Sequence, residues 1–177
     1  MTDPVEVARL HARRLHRRAQ AAEPDALTLL RAHPELRALP LDELPSAVKR
    51  RHALARIAVA LGCRGWPHLK AVLEGTPVAD KGRLMYRESA AYWNVWSASY
   101  EEASRIRAEH GGFLLPFRRQ FFVAEAPYVR WMGGEPDAEE WSALGRDWVQ
   151  STSGRSTPWR RLTSRVLETR LRQALPV

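Results

Sequence analysis

The chain has 177 residues, 45% of them hydrophobic and 27% charged, with a formal net charge of +8. This composition is typical of a folded globular protein and excludes an intrinsically disordered chain. No apolar run approaches the roughly 20 residues of a membrane-spanning helix. The N-terminus lacks the apolar segment of a secretory signal, and the single cysteine, Cys63, excludes an internal disulfide. We therefore expect a cytoplasmic protein without a membrane partner.

The positive charge is almost entirely arginine, since only three of the 28 basic residues are lysines. A strongly basic surface attracts an anionic partner such as nucleic acid or an acidic protein. The alternative is that coding in a GC-rich genome raises the arginine and alanine contents together. The composition leaves both explanations open.

The first predicted helix runs from about Asp3 to Ala22, with Pro4 at its start. Small and apolar residues recur along it at spacings of three and four and form one narrow stripe: Val5, Ala8, Ala12, Leu15, Ala19 and Ala22. Five arginines lie on the opposite side or its flank: Arg9, Arg13, Arg14, Arg17 and Arg18. This pattern is typical of a helix along an anionic surface, or of a solvated basic face.

Three further helices are predicted before residue 76. They cover residues 25–32, 46–61 and 66–75, and a proline-bounded loop covers residues 38–45. In the 46–61 helix the apolar residues are expected to face inward, whereas Lys49, His52 and Arg56 are expected to point away.

A polar segment at residues 76–83, TPVADKGR, is the predicted boundary between an N-terminal lobe (1–75) and a C-terminal lobe (84–177). In the second lobe we expect a long helix over residues 87–110 and a C-terminal helix that begins near residue 157.

Alternating strand patterns are nearly absent from the chain, although residues 113–134 are compatible with short helices or a brief strand. The predicted fold class is therefore all-α. It comprises a small four-helix N-terminal lobe and a tryptophan-rich helical C-terminal lobe.

Residues 52–72, HALARIAVALGCRGWPHLKAV, resemble a helix-turn-helix. Ala58, four residues before the turn residue Gly62, lets two helices approach closely. His68 replaces the aliphatic residue expected six positions after the glycine, and Pro67 starts the second helix late. Because this shortens the segment that would contact base edges, the spacing favours two packed helices over a sequence-specific reader.

The HPEL at residues 33–36 and the LGCRGWPHLKAVL at residues 61–73 follow the general form HPEL…LG-x-x-x-WP-x-LK. They resemble a helical module of many bacterial proteins that often precedes ankyrin repeats. The resemblance implies a small helical domain and provides no catalytic residue. No TPLHxA signature follows, so an ankyrin array is not expected. Residues 110–133 resemble a segment of uncharacterised bacterial proteins.

Seven tryptophans are the other unusual feature: Trp66, Trp93, Trp96, Trp131, Trp141, Trp148 and Trp159. Several neighbour arginines, as in YVRW and PWRR, and exposed pairs of this kind bind single-stranded nucleic acid by stacking and phosphate contact. The alternative, which we favour, is that tryptophan fills the core of a small lobe. Of the seven, Trp93 is the one that we expect to be partly exposed.

No catalytic or metal-binding motif is present in the sequence: GxSxG, P-loop, GxGxxG, HExxH and zinc spacings are all missing. Glu101 and Glu102 diverge on a helix, and Glu125 is the one acid expected to be partly buried. Arg64 beside Cys63 would lower the pKa of the thiol, but no histidine base accompanies it. We expect no catalytic residue, metal or cofactor.

The sequence predicts a protein that binds DNA or RNA mainly through phosphate contacts, with little sequence readout. The candidate binding residues are Arg9, Arg13, Arg14, Arg17, Arg18, Lys49, Arg50, Arg56 and Lys70. Two alternatives are a protein-interaction module that docks a partner on its N-terminal lobe, and a small-molecule pocket among the aromatic residues.

Overall fold

The computed structural model describes residues 3–89, 91–150 and 156–175. These residues form the helices α1 Pro4–Gln20, α2 Pro24–Arg31, α3 Pro34–Arg37, α4 Leu44–Ala47, α5 Arg50–Ala60, α6 Trp66–Leu73, α7 Tyr100–His110, α8 Ala126–Met132, α9 Glu139–Ala143 and α10 Thr157–Ala174. They also form the strands β1 Val95–Ser97, β2 Phe113–Phe117 and β3 Gln120–Ala124.

The all-α prediction is wrong, because the C-terminal half contains a three-stranded antiparallel sheet in the order β1-β3-β2. The fold is mixed, with helices predominating. The strands β2 and β3 form a hairpin whose turn includes Arg118 in a left-handed conformation (φ 52°). The aromatic and β-branched residues of this hairpin suit a pleated, half-buried surface.

The helix predicted over residues 87–110 begins only at Tyr100. Ser99 precedes it in extended conformation (φ −111°, ψ 135°), and its side chain accepts a backbone N–H of the first turn. Upstream, Trp96 lies in β1 and packs its ring 4.9 Å from that of Phe122 in β3. Strand pairing therefore overrides the helical spacing of the aromatic residues in this segment.

The two faces of the sheet contact different parts of the molecule. Leu115 and Phe122 lie on the face that packs into the main core. Leu114 and Val123 lie on the other face and pack with Ala103 of α7. The sheet is thus a layer between α7 and the rest of the protein.

Helix α1 is at the centre of the N-terminal half and packs against α2, α5 and α10. The single helix predicted over residues 46–61 is interrupted, because Val48 is extended between α4 and α5. His52 was expected to point outward, yet it is buried. Its Nδ1 accepts the backbone N–H of Lys49 (3.1 Å) and so caps the first turn of α5.

One hydrophobic core contains side chains from both predicted lobes. It includes Ala12 and Leu15 of α1 together with Leu162 and Val166 of α10. The division of the chain at residues 76–83 stays a prediction.

Candidate nucleic-acid interface

The arginines of α1 lie on its exposed side. Asp3 starts the helix by accepting the backbone N–H of Val5 (2.8 Å), and the alanine stripe fixes which side faces the core. Arg13, Arg14 and Arg17 are exposed, and none of the described carboxylates lies within 4 Å of their guanidinium groups. These three side chains are therefore available to an anion.

The other two arginines of α1 already have acidic partners. Arg9 pairs with Glu6 (2.5 Å), and Arg18, which is half-buried, pairs with Glu23. Exposed ion pairs of this kind contribute little to stability, but the carboxylate offsets the positive charge that the arginine presents to a ligand.

A groove of about 430 Å³ runs between α1 and α10. Its lining includes Arg13 and Arg14 of α1, Arg172 and Glu168 of α10, and His11. Burial, followed by the nearby guanidinium of Arg14, lowers the pKa of His11, and Arg172 lowers it further while Glu168 raises it. Arg14 and Arg172 therefore approach the same place from two helices.

Arg172 was missed by the sequence analysis. Its position four residues after Glu168 indicated an exposed turn of the C-terminal helix, but nothing in the sequence placed that turn beside α1. The packing of α10 against α1 brings the side chain to the groove.

The remaining predicted binding residues belong to other helices. Lys49 and Arg50 are exposed at the start of α5, and Arg56 is half-buried in the same helix. Lys70 of α6 is 3.5 Å from Glu74. The structure brings Arg13 and Arg14 of α1 to the same groove as Arg172. Lys49, Arg50, Arg56 and Lys70 do not line that groove.

The turn between α5 and α6 does not present a reading helix. Gly62 adopts the left-handed conformation that the turn requires (φ 70°). The Nδ1 of His68 accepts the backbone N–H of Arg64 (3.1 Å), and its Nε2 lies 2.6 Å from the carbonyl oxygen of Asp80. Because both ring nitrogens are engaged, His68 fixes the α6 entrance and is not free to contact a base.

His33, Glu35 and His52 form a cluster that the sequence analysis did not predict. Their ligand atoms lie within 4.8 Å of one another, which is the spacing of a possible metal site. The Nδ1 atoms of His33 and His52 accept backbone N–H groups, from Glu35 (3.3 Å) and Lys49 (3.1 Å). A neutral imidazole bonded in this way carries its hydrogen on Nε2, the atom that would have to face the metal.

The hydrogen bonds of this cluster explain its arrangement without an ion. The Nε2 of His52 lies 3.1 Å from Glu35 Oε2, which Arg51 also contacts (2.5 Å). The hydrogen bond from Arg51 is the main reason why the pKa of Glu35 falls to about 2. The cluster ties α3 to α5, and its chemistry is that of a structural network.

The tryptophans divide into core and surface groups. Trp141, Trp148 and Trp159 are buried, as core packing predicts. Trp93 is 94% exposed and Trp96 is 43% exposed, so the prediction for Trp93 is confirmed.

The structure shows how far the cysteine and the three glutamates considered in the sequence are buried. Cys63 is buried, and burial raises the pKa of its thiol to about 12, opposite to the effect expected from Arg64. Glu125, expected to be partly buried, is exposed, as are Glu101 and Glu102.

Comparison of the chain with protein-family models, curated proteins and solved structures finds no match. The resemblance to the module that precedes ankyrin repeats therefore stays a prediction. None of the helices in the described ranges has the length and apolar character needed to cross a membrane.

Proposed function

We propose that this protein binds nucleic acid through phosphate contacts made by the exposed side of α1. The observation that supports this is the set of three exposed arginines, Arg13, Arg14 and Arg17, that have no acidic partner among the described residues. Guanidinium groups suit phosphate because they offer several N–H donors in one plane.

Arg172 extends this charge across the groove to a second helix. Two helices with converging guanidinium groups can contact successive phosphates along one backbone. Helix α6 is not free to read bases in a groove, because His68 and Pro67 occupy its start. We therefore expect affinity without strong sequence preference, and a cytoplasmic location fits a chain with one buried cysteine.

The test compares two variants with the same change in net charge. In the first, Arg13, Arg14 and Arg17 are replaced by glutamine. The control carries three substitutions of exposed arginines elsewhere on the surface: Arg31→Gln, Arg37→Gln and Arg105→Gln. Binding to a fluorescein-labelled 20-nucleotide strand and its duplex is measured by anisotropy at low salt.

We expect the α1 variant to lose roughly tenfold or more in affinity, because three phosphate contacts are removed, and the control to lose much less. Equal losses in both variants would indicate a diffuse charge effect and contradict the proposed interface. Wild-type protein that binds neither the strand nor the duplex would contradict nucleic-acid binding altogether. Retention of an acidic protein after nuclease treatment would favour the protein-interaction alternative.

A further inference from the structure

Three aromatic side chains contact one another on the face of the sheet that carries Phe122: Tyr86, Trp96 of β1 and Phe117 of β2. The ring of Tyr86 lies 4.3 Å from that of Phe117 and 5.5 Å from that of Trp96, and the rings of Trp96 and Phe117 are 5.6 Å apart. Trp96 is 43% exposed, and Tyr86 and Phe117 are partly exposed. We call these three residues the aromatic platform.

Arginines surround the platform. The guanidinium carbon of Arg83 lies 5.9 Å from the centre of the Tyr86 ring, and that of Arg118 lies 5.7 Å from the centre of the Phe117 ring. Arg119, the next residue in the hairpin turn, is exposed. None of the carboxylates in the described ranges lies within ion-pair distance of these three side chains.

The chain holds the platform in place from behind. The backbone N–H of Arg118 donates to the carbonyl oxygen of Gly82 (2.8 Å), and the N–H of Lys81 donates to that of Arg118 (2.8 Å). These two backbone hydrogen bonds connect the hairpin turn to the segment that carries Arg83 and Tyr86. Arg170 of α10 also donates to the carbonyl oxygen of Tyr86 (2.8 Å). The aromatic rings are therefore ordered before any ligand binds.

Trp93 is a further exposed aromatic side chain, close in sequence to the platform residue Trp96. It is 94% exposed, and it lies three residues before Trp96 at the entrance to β1. Val95 between them is 52% exposed. A fully exposed tryptophan beside an apolar edge is the kind of feature that marks an interaction site.

We infer that the aromatic platform and Trp93 stack the bases of single-stranded nucleic acid, while Arg83, Arg118 and Arg119 contact its phosphates. The unpaired arginines argue for an anionic partner, and the exposed side chains of Trp93 and Trp96 argue for one with accessible planar groups. A duplex offers phosphates but keeps its bases stacked inside. An acidic peptide offers charge without a series of planar groups.

The inference rests on the proposed function for the class of partner, and it concerns a different surface. Arg170 supports the platform, whereas Arg172 lines the α1 groove. Residues two apart on a helix point in directions about 200° apart, so the two surfaces lie on different sides of α10. Each surface can therefore be tested by its own substitutions.

The experiment measures the affinity of Trp93→Ala and Trp96→Ala for a 20-nucleotide single strand and for its duplex, at several salt concentrations. Val59→Ala, which removes an exposed apolar side chain from α5, is the matched control. Trp93 has no ring contact among the described residues, so its substitution keeps the fold even where loss of Trp96 disturbs packing against Phe122. Quenching of tryptophan fluorescence by the strand is recorded for each variant.

We expect Trp93→Ala to lower affinity for the single strand by about five- to 100-fold, to remove part of the quenching, and to leave duplex affinity unchanged. The dependence of affinity on salt should stay as in wild type, because stacking releases no counterions. Wild-type affinity for the strand in both tryptophan variants would overturn the inference and leave phosphate binding by α1 intact. Failure of wild-type protein to bind either nucleic acid would overturn both.

Discussion

His52 is a buried side chain that joins α5 to the start of α3. Its Nδ1 caps α5 at Lys49, its Nε2 lies beside Glu35, and its ring centre is 4.7 Å from that of His33. Arg51 adds a further positive charge nearby. The position depends on a neutral imidazole, because Nδ1 must accept the backbone N–H.

We predict that protonation of His52 destabilises the fold. Burial lowers its pKa from the ordinary 6.5, with Arg51 and His33 acting in the same direction and Glu35 opposing them. The unfolded state therefore binds the proton more readily, and the free energy of unfolding decreases as pH falls below about 6.5. Chemical denaturation between about pH 5 and 8, where Glu35 stays ionised, measures this.

The variant His52→Gln separates this contribution from that of His11, whose pKa burial also lowers. The variant should be less stable at pH 8 and lose less stability on acidification than wild type. An identical pH dependence in both proteins would contradict the role assigned to His52.

Cys63 provides a second test at the level of one residue. Because burial raises its pKa to about 12, the thiolate is scarce in the native protein. We predict that a disulfide reagent at pH 8 labels the native protein at least about 100-fold more slowly than the urea-unfolded protein. Rapid labelling under native conditions would show that the thiol is accessible.

At the scale of elements, α1 is held in place by its N-cap residue, Asp3, as well as by its buried stripe of small and apolar residues. Asp3 accepts the N–H of Val5 through Oδ1, and its Oδ2 is 3.0 Å from Arg160 of α10. One carboxylate thus caps α1 and joins it to the C-terminal helix. The position of the α1 arginines relative to Arg172 depends on this packing.

We predict that Asp3→Ala lowers the free energy of unfolding by about 1–2 kcal/mol, mostly through loss of the cap. Asp3→Asn keeps a capping oxygen and loses only the partly exposed ion pair, so it should cost less than about 1 kcal/mol. Urea denaturation of the three proteins measures both values. Equal losses in the two variants would assign the stability to the ion pair and contradict the cap.

The long helices could be predicted from the sequence and the sheet could not. Helices α1 and α10 have apolar residues at helical spacing and a proline in the first turn, and both lie close to the predicted ranges. The strands are three to five residues long, too short to show alternation, and β1 carries aromatic residues that also fit a helical pattern. Their conformation is decided by pairing with β3, which local sequence does not reveal.

Only part of the candidate interface could be predicted, because local sequence does not reveal which elements pack together. The exposure of Arg13, Arg14 and Arg17 could be predicted because the helical spacing of the apolar residues in α1 places these arginines on the other side. The approach of Arg172 and the assembly of the aromatic platform depend on which elements pack together. The burial of His52 was missed because a polar residue on a predicted outer side acquires partners from α3, 17 residues away.

At the scale of the whole molecule, only some of the basic side chains behind the net charge of +8 are free to bind an anion. Seven of the described lysine and arginine side chains have an acidic partner, Arg9, Arg18 and Arg51 among them. The partnerless arginines include those of the α1 surface and those around the aromatic platform. We attribute anion binding to these two surfaces because partnerless guanidinium groups lie near one another there. Arg13, Arg14 and Arg172 line one groove, and Arg83 and Arg118 lie beside the aromatic platform.

The most direct test is the dependence of nucleic-acid affinity on salt. If Arg13, Arg14, Arg17 and Arg172 each neutralise one phosphate, the logarithm of the association constant for a duplex falls with the logarithm of salt concentration with a slope of about −3.6. Replacing the first three by glutamine should reduce the slope to about −0.9. A wild-type slope near zero, or a slope that the α1 substitutions do not change, would contradict phosphate binding by this helix.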